Sequence, residues 1–199
     1  MKSPLNTKAA FSLIEVLVSV ALILVLTGLA VVAFNNISRS FSIGAAGQQA
    51  RSAILVAAQE ATARSRPVEM RLCRATGSEN PTVIQFILHE SDGSTRPLQR
   101  PLVTSEQVVI DGRTNQSTLL SGLAYRAAGP ADPRAAGLGT SYEYAGFFLL
   151  PGGITSLSSN STQAPVLVFR SANDSGTPPA NFAAIQLDPH TSRTQLHRP

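Results

Sequence analysis

One carboxylate, Glu15, stands inside an apolar run that extends from Phe11 to Phe34. A charge in a membrane-length segment costs about 2.5–3.5 kcal/mol at mid-bilayer on insertion scales, so it marks function. The chemistry open to it is pairing with a cation where water is excluded. The other chemistry-bearing residues are dispersed. His89, His190 and His197 have no second histidine at helical spacing and no cysteine cluster beside them, which argues against a zinc site. No Gly-x-Ser-x-Gly elbow, Walker loop or dinucleotide glycine fingerprint occurs. Gly137-Leu138-Gly139 lacks a third glycine and a strand-to-helix setting, so it reads as loop. Asn173-Asp174-Ser175-Gly176 offers one carboxylate, too little for Ca²⁺, and reads as a turn. His89, at a strand end before a turn, reads as a solvated edge residue. No enzyme activity and no cofactor are expected.

The elements that must position Glu15 come next. The run from Phe11 to Phe34 is about 36 Å long as a helix, enough to cross a hydrocarbon core of about 30 Å with some tilt. Lys2 and Lys8 precede it, with no acid among residues 1–10, which favours a cytoplasmic start. A secretory signal peptide has a core of about 7–15 residues and a small-residue cleavage site; this run is longer, and no Ala-x-Ala site follows it. A plain signal anchor fits the length but gives Glu15 no task. The stretch Ala10-Phe11-Ser12-Leu13-Ile14-Glu15-Val16-Leu17 closely resembles the processing site of type IV prepilins and pseudopilins. In that family a short basic leader is cut before a hydrophobic first residue, and a Glu is fifth in the mature chain. The resemblance implies cleavage between Ala10 and Phe11, N-methylation of Phe11, and an assembly role for Glu15 in pairing with a neighbouring subunit's N-terminus. Ala10 departs from the Gly usual before the cut. The alternative for Glu15 is snorkelling to the headgroups.

Charge and cysteine content bound the rest. The chain carries Lys+Arg 16 against Asp+Glu 12. Without residues 1–10, which hold Lys2 and Lys8, the balance is 14 against 12, or +2, and every remaining base is Arg. That balance does not imply a nucleic-acid partner. The single cysteine, Cys73, reads as a small buried hydrophobe.

From Asn35 to Arg64 there is no proline, and apolar or small residues recur at Ile37, Phe41, Ala45, Ala50, Ile54, Ala57 or Ala58, and Ala61. That spacing predicts an amphipathic helix packed on a sheet, ended near Arg64–Ser65 by Pro67. Gly44 and Gly47 predict a bend or fray, at about 1 kcal/mol each relative to Ala. Strands are expected over 68–74, 82–90, 98–104, 107–110, 147–150, 166–170, 182–187 and 194–197, with 126–145 and 156–162 as loops. The fold class is α+β and pilin-like: a long N-terminal helix against an antiparallel β-sheet. The domain reading is leader 1–10, transmembrane and assembly helix 11–34, amphipathic neck helix 35–66, and β-rich globular domain 67–199.

The body extends the resemblance. Gln59-Glu60-Ala61, Arg64, Arg66-Pro67-Val68 and Met70 are similar to a segment of H-type minor pseudopilins of type II secretion and FimT-like minor pilins. Leu187-Asp188-Pro189 with Thr194–Pro199 resembles a terminal hairpin of the Verru_Chthon cassette protein D family. These likenesses imply a minor pilin or pseudopilin of a type IV pilus or type II secretion-like filament. The implied partners are other pilin or pseudopilin subunits, a prepilin peptidase and an inner-membrane assembly platform. The implied location is the inner membrane, single-pass, with a periplasmic globular domain and a place in a periplasmic or surface filament. Two alternatives remain: a DNA-uptake minor pilin using Arg193, His197 and Arg198, or an anchored periplasmic domain that never polymerises. Three scattered cations with no interleaved aromatic residue make a weak nucleic-acid footprint.

Overall fold

Residues 5–66 contain no proline, and in the computed structural model one α-helix, α1, runs Leu13–Ala63. The structure describes residues 12–157 and 164–199, with backbone alone at 30–33, 35 and 36. The leader, Ala10 and Phe11 lie outside the described residues, as does most of the 156–162 loop. The helix ends in a Schellman motif. Ser65, at φ 52°, donates its N–H to Thr62 O, and Arg66 donates to Ala61 O, before Pro67 bars continuation.

The chain divides into two compact units, 1–38 and 39–199. In the first, the apolar side chains from Leu13 to Leu29 that are described, such as Leu17, Ile23 and Leu26, are exposed. Among the described residues no helix is long and apolar enough to cross a membrane; the segment expected to do so includes Phe11 and Ala30–Ala33, whose side chains are not among them.

In the second unit α1 buries Ile43, Gly47, Ala50, Ile54, Ala57 and Ala61. Steps of four and three keep these on one stripe. Ile37 and Phe41, expected on that stripe, are instead 53% and 74% exposed, and Ala45 is exposed too. Phe41 lies two residues from Ile43, about 200° round the helix, so both cannot face the sheets. The expected fray at Gly44 and Gly47 does not occur. The helix runs through both, and a Cβ on Gly47 would lie 3.0 Å from Ala183 Cβ and 3.1 Å from Leu196 Cδ1. The glycine is there to let the backbone approach the strands.

Among the described residues ten strands follow: β1 Val68–Ala75, β2 Val83–His89, β3 Thr95–Pro97, β4 Leu102–Val103, β5 Val108–Ile110, β6 Arg126–Ala127, β7 Tyr142–Leu149, β8 Val166–Ser171, β9 Phe182–Leu187 and β10 Thr194–His197. The structure is α+β, but the single expected sheet is two. One has the order β3-β2-β1-β7-β6 with β4 also on β2; the other is β10-β9-β8-β5. All pairs are antiparallel. The strand expected over 98–104 shrinks to β4, with β3 before it. Pro97 and Pro101 cannot donate to a ladder, so β2 has an interrupted edge partner. The expected loop 126–145 contains β6 and the start of β7, whose Tyr142 and Tyr144 oppose Ala75 and Cys73. A short 3-10 helix, Thr118–Gly122, buries Leu119 and Leu120.

The α1 stripe and residues of both sheets, including Met70, Phe86, Phe147, Phe169 and Ile185, form the main core. A smaller cluster of Cys73, Val83, Ala135, Tyr142 and Tyr144 forms where the 128–138 loop folds over β1, β2 and β7. That second layer buries both faces of β1, which its alternation of apolar and polar residues did not announce.

Candidate functional site

Glu15 occupies the third position of α1 after its cap, Ser12. The Ser12 N–H reaches Glu15 Oε2 at 3.3 Å, the Ser12 hydroxyl lies 3.4 Å from the same oxygen, and the Glu15 N–H reaches Ser12 Oγ at 3.3 Å. This is a reciprocal capping box: the carboxylate satisfies one orphan donor, the hydroxyl another, and the negative charge sits at the positive end of the helix. The pattern Ser-x-x-Glu before an apolar run is visible in the sequence, so this local role was available there and was missed. The two hydroxyls farther along the apolar segment are absorbed locally. Ser19 Oγ donates to Glu15 O and Thr27 Oγ1 to Ile23 O, each at 2.7 Å, so neither presents an unmet donor to an apolar partner.

The three basic residues proposed for nucleic acid are not assembled into one patch. Arg198 Nη2 donates to Ser40 O at 3.0 Å, and His197 Nε2 lies 3.2 Å from Gln186 Oε1. Consecutive residues on an extended chain point to opposite faces, which separates these two. Arg193 is exposed beside Thr191 and Ser192, in a groove bounded by Leu55, Ala58 and Thr62.

His89, expected as a solvated edge residue, is part of a buried polar network. Its Nε2 lies 3.1 Å from Glu69 Oε2, and its ring stands edge-on to Phe148 at 5.2 Å. Glu69 also receives Arg71 Nη2 at 2.8 Å and Arg126 Nη2 at 3.0 Å. Arg71 continues to Asp132 Oδ1 at 2.6 Å, and both arginines lie over the Tyr144 ring, at 4.2 and 4.6 Å. Burial alone would push the Asp132 carboxyl up, but the Gly129 N–H and the Arg71 guanidinium hold it below the usual range. A second buried carboxylate, Asp111, accepts both Arg113 Nε at 2.8 Å and Arg113 Nη2 at 2.6 Å. Arg170 Nε lies 3.1 Å away, an ion pair whose N–H is not aligned as a hydrogen bond. Against desolvation, the Arg113 bonds and the Arg170 charge keep Asp111 low. These groups hold the loops to the sheets.

Cys73 is buried and free; burial pushes its thiol up to about 12, against a smaller lowering by Arg71. Asp174 is used as a turn residue, accepting the N–H groups of Gly176 and Ala180 at 2.8 Å each. Among the described residues no group of three His, Cys, Asp or Glu side chains could hold a metal ion.

Residues 5–31 match the model of the prokaryotic N-terminal methylation motif, a stretch that contains Ala10, Phe11 and Glu15. No curated protein matches the chain. Among solved structures the chain is similar to the minor pseudopilin EpsH from the type 2 secretion system of Vibrio cholerae, at 12% identity and a TM-score of 0.46, over 79% of this chain and 98% of that one.

Proposed function

We propose that the chain is a minor pilin or pseudopilin subunit, assembled through its N-terminal helix into a type IV pilus or type II secretion-like filament. A prepilin peptidase cuts between Ala10 and Phe11, Phe11 is N-methylated, and Glu15 becomes the fifth residue of the product. Before assembly the segment 11–34 anchors the protein in the inner membrane, with residues 67–199 on the periplasmic side and 35–66 as the neck. Its partners are other pilin or pseudopilin subunits and an inner-membrane platform; we assign it no reaction and no cofactor. The observation that carries this reading is the methylation-motif match over 5–31.

In the mature subunit the Phe11 amine is a cation and Glu15 an anion, and both are poorly solvated in an apolar bundle. Pairing them between adjacent subunits offsets desolvation and sets axial register, while removing one partner costs about 3–5 kcal/mol. The test is Glu15→Ala in cells that hold the assembly machinery. Membrane insertion is expected to persist, since a costly charge is removed from lipid. Crosslinking to neighbouring subunits is expected to fall sharply; unchanged crosslinking would leave Glu15 only its helix cap and snorkelling.

A further inference from the structure

Between Glu15 and Glu60 α1 carries no acidic residue, yet Arg198 docks on this stretch. Its Nη2 donates to Ser40 O at 3.0 Å, the carbonyl that the Gly44 N–H meets in an α-helix. A carbonyl has two lone pairs and accepts both. The guanidinium lies against the Gly44 backbone, in the space a Cβ there would fill: the nearest atoms to such a Cβ are Arg198 Nη2, Cζ and Nη1. One helical turn on, Gly47 receives Leu196 and Ala183 in the same way. Leu196 and Arg198 share a face of the extended chain, so the end of the last strand fits a two-glycine notch on the helix. The second compact unit begins at Arg39, one residue before the carbonyl that Arg198 holds.

We infer that Arg198 and Gly44 form a latch that holds the first turns of α1 in the second unit onto β10. The glycines make this the weakest stretch of the helix by propensity, and the charge-assisted bond to Ser40 O offsets that weakness. While the latch is closed the helix is continuous over 40–47. When Arg198 is drawn away, the glycine pair is free to bend. This device goes beyond the assembly reading and does not depend on it.

Gly44→Ala evicts a flexible guanidinium tip, so the fold survives and the latch does not; this gives a coupling test. Amide hydrogen exchange is measured on the full chain in detergent micelles for the native sequence, Arg198→Ala, Gly44→Ala and the double variant. Arg198→Ala is expected to speed exchange of the 42–47 amides about tenfold, with β1 and β7 unchanged. In the Gly44→Ala background the same substitution is expected to change nothing. An unaltered rate at 42–47, an equal effect in both backgrounds, or a rise shared by β1 and β7 would overturn the latch.

Discussion

Glu69 and Arg71, two residues apart on one face of β1, are bonded to each other at 2.8 Å with side chains 3% and 5% exposed. Arg126 and His89 share the same carboxylate from β6 and the end of β2. A pair this buried adds little net stability over an apolar pair, but removing Glu69 takes from Arg71 one of its two carboxylates, the other being Asp132. Glu69→Ala should therefore destabilise a 35–199 fragment by about 1.5–3 kcal/mol in urea unfolding, the loss of a charge-assisted hydrogen bond in a buried setting. Adding Arg71→Met should deepen the loss, since Asp132 then loses its guanidinium as well. A Glu69→Ala loss under about 1 kcal/mol would mean that water reaches the pair and that exposed-pair energetics apply.

Acid should loosen the same framework. Asp111 and Asp132 both titrate below their ordinary value in the folded chain, desolvation being outweighed by hydrogen bonds from Arg113 and from Gly129 with Arg71. A carboxyl with a depressed folded pKa adds stability that is complete above its unfolded value, about 3.9, and is lost as pH falls through the folded one. The unfolding midpoint should hold from neutral pH to about 5 and drop below about 4. Asp111→Asn should lower the midpoint at neutral pH and make the acid decline shallower. A parallel decline in both proteins would remove Asp111 from this account.

How far the fold was legible follows from which signals were local. The helix stop at Arg66-Pro67 and strands β8, β9 and β10 could be read from proline chemistry and short apolar runs. From Ala50 onward the expected helix face, Ala50, Ile54, Ala57 and Ala61, is the buried one; before it the expected face was one step out, since Ile37, Phe41 and Ala45 are exposed while Ile43 and Gly47 are buried. The Glu69 network was not legible, since its members come from β1, β2, β6 and the loop at Asp132, and only the folded register brings them together. The capping box at Ser12 and Glu15 was legible, since its signal is four residues long.

The helix stripe should be part of the core. Fragment 35–199 is expected to be a soluble monomer with cooperative unfolding. Fragment 62–199 lacks Ile43, Ala50, Ile54, Ala57 and Ala61, all under 2% exposed, and is expected to aggregate. Burying a large aliphatic side chain such as Ile43 or Ile54 is worth about 1.5–3 kcal/mol, and their removal also uncovers Phe147 and Phe169. Equal solubility and equal unfolding cooperativity of the two fragments would show that the helix is dispensable to the sheets.

We propose that residues 1–10 are a leader and that the mature chain begins at Phe11. The most direct test is the N-terminus of the protein extracted from membranes of cells with an active prepilin peptidase, read by sequencing and intact mass. The expected chain starts at Phe11, with the mass of one added methyl group on its amine. The same protein from cells lacking the peptidase should start at Met1. A protein that begins at Met1 in both strains would contradict the claim, and with it the assignment of Glu15 to assembly.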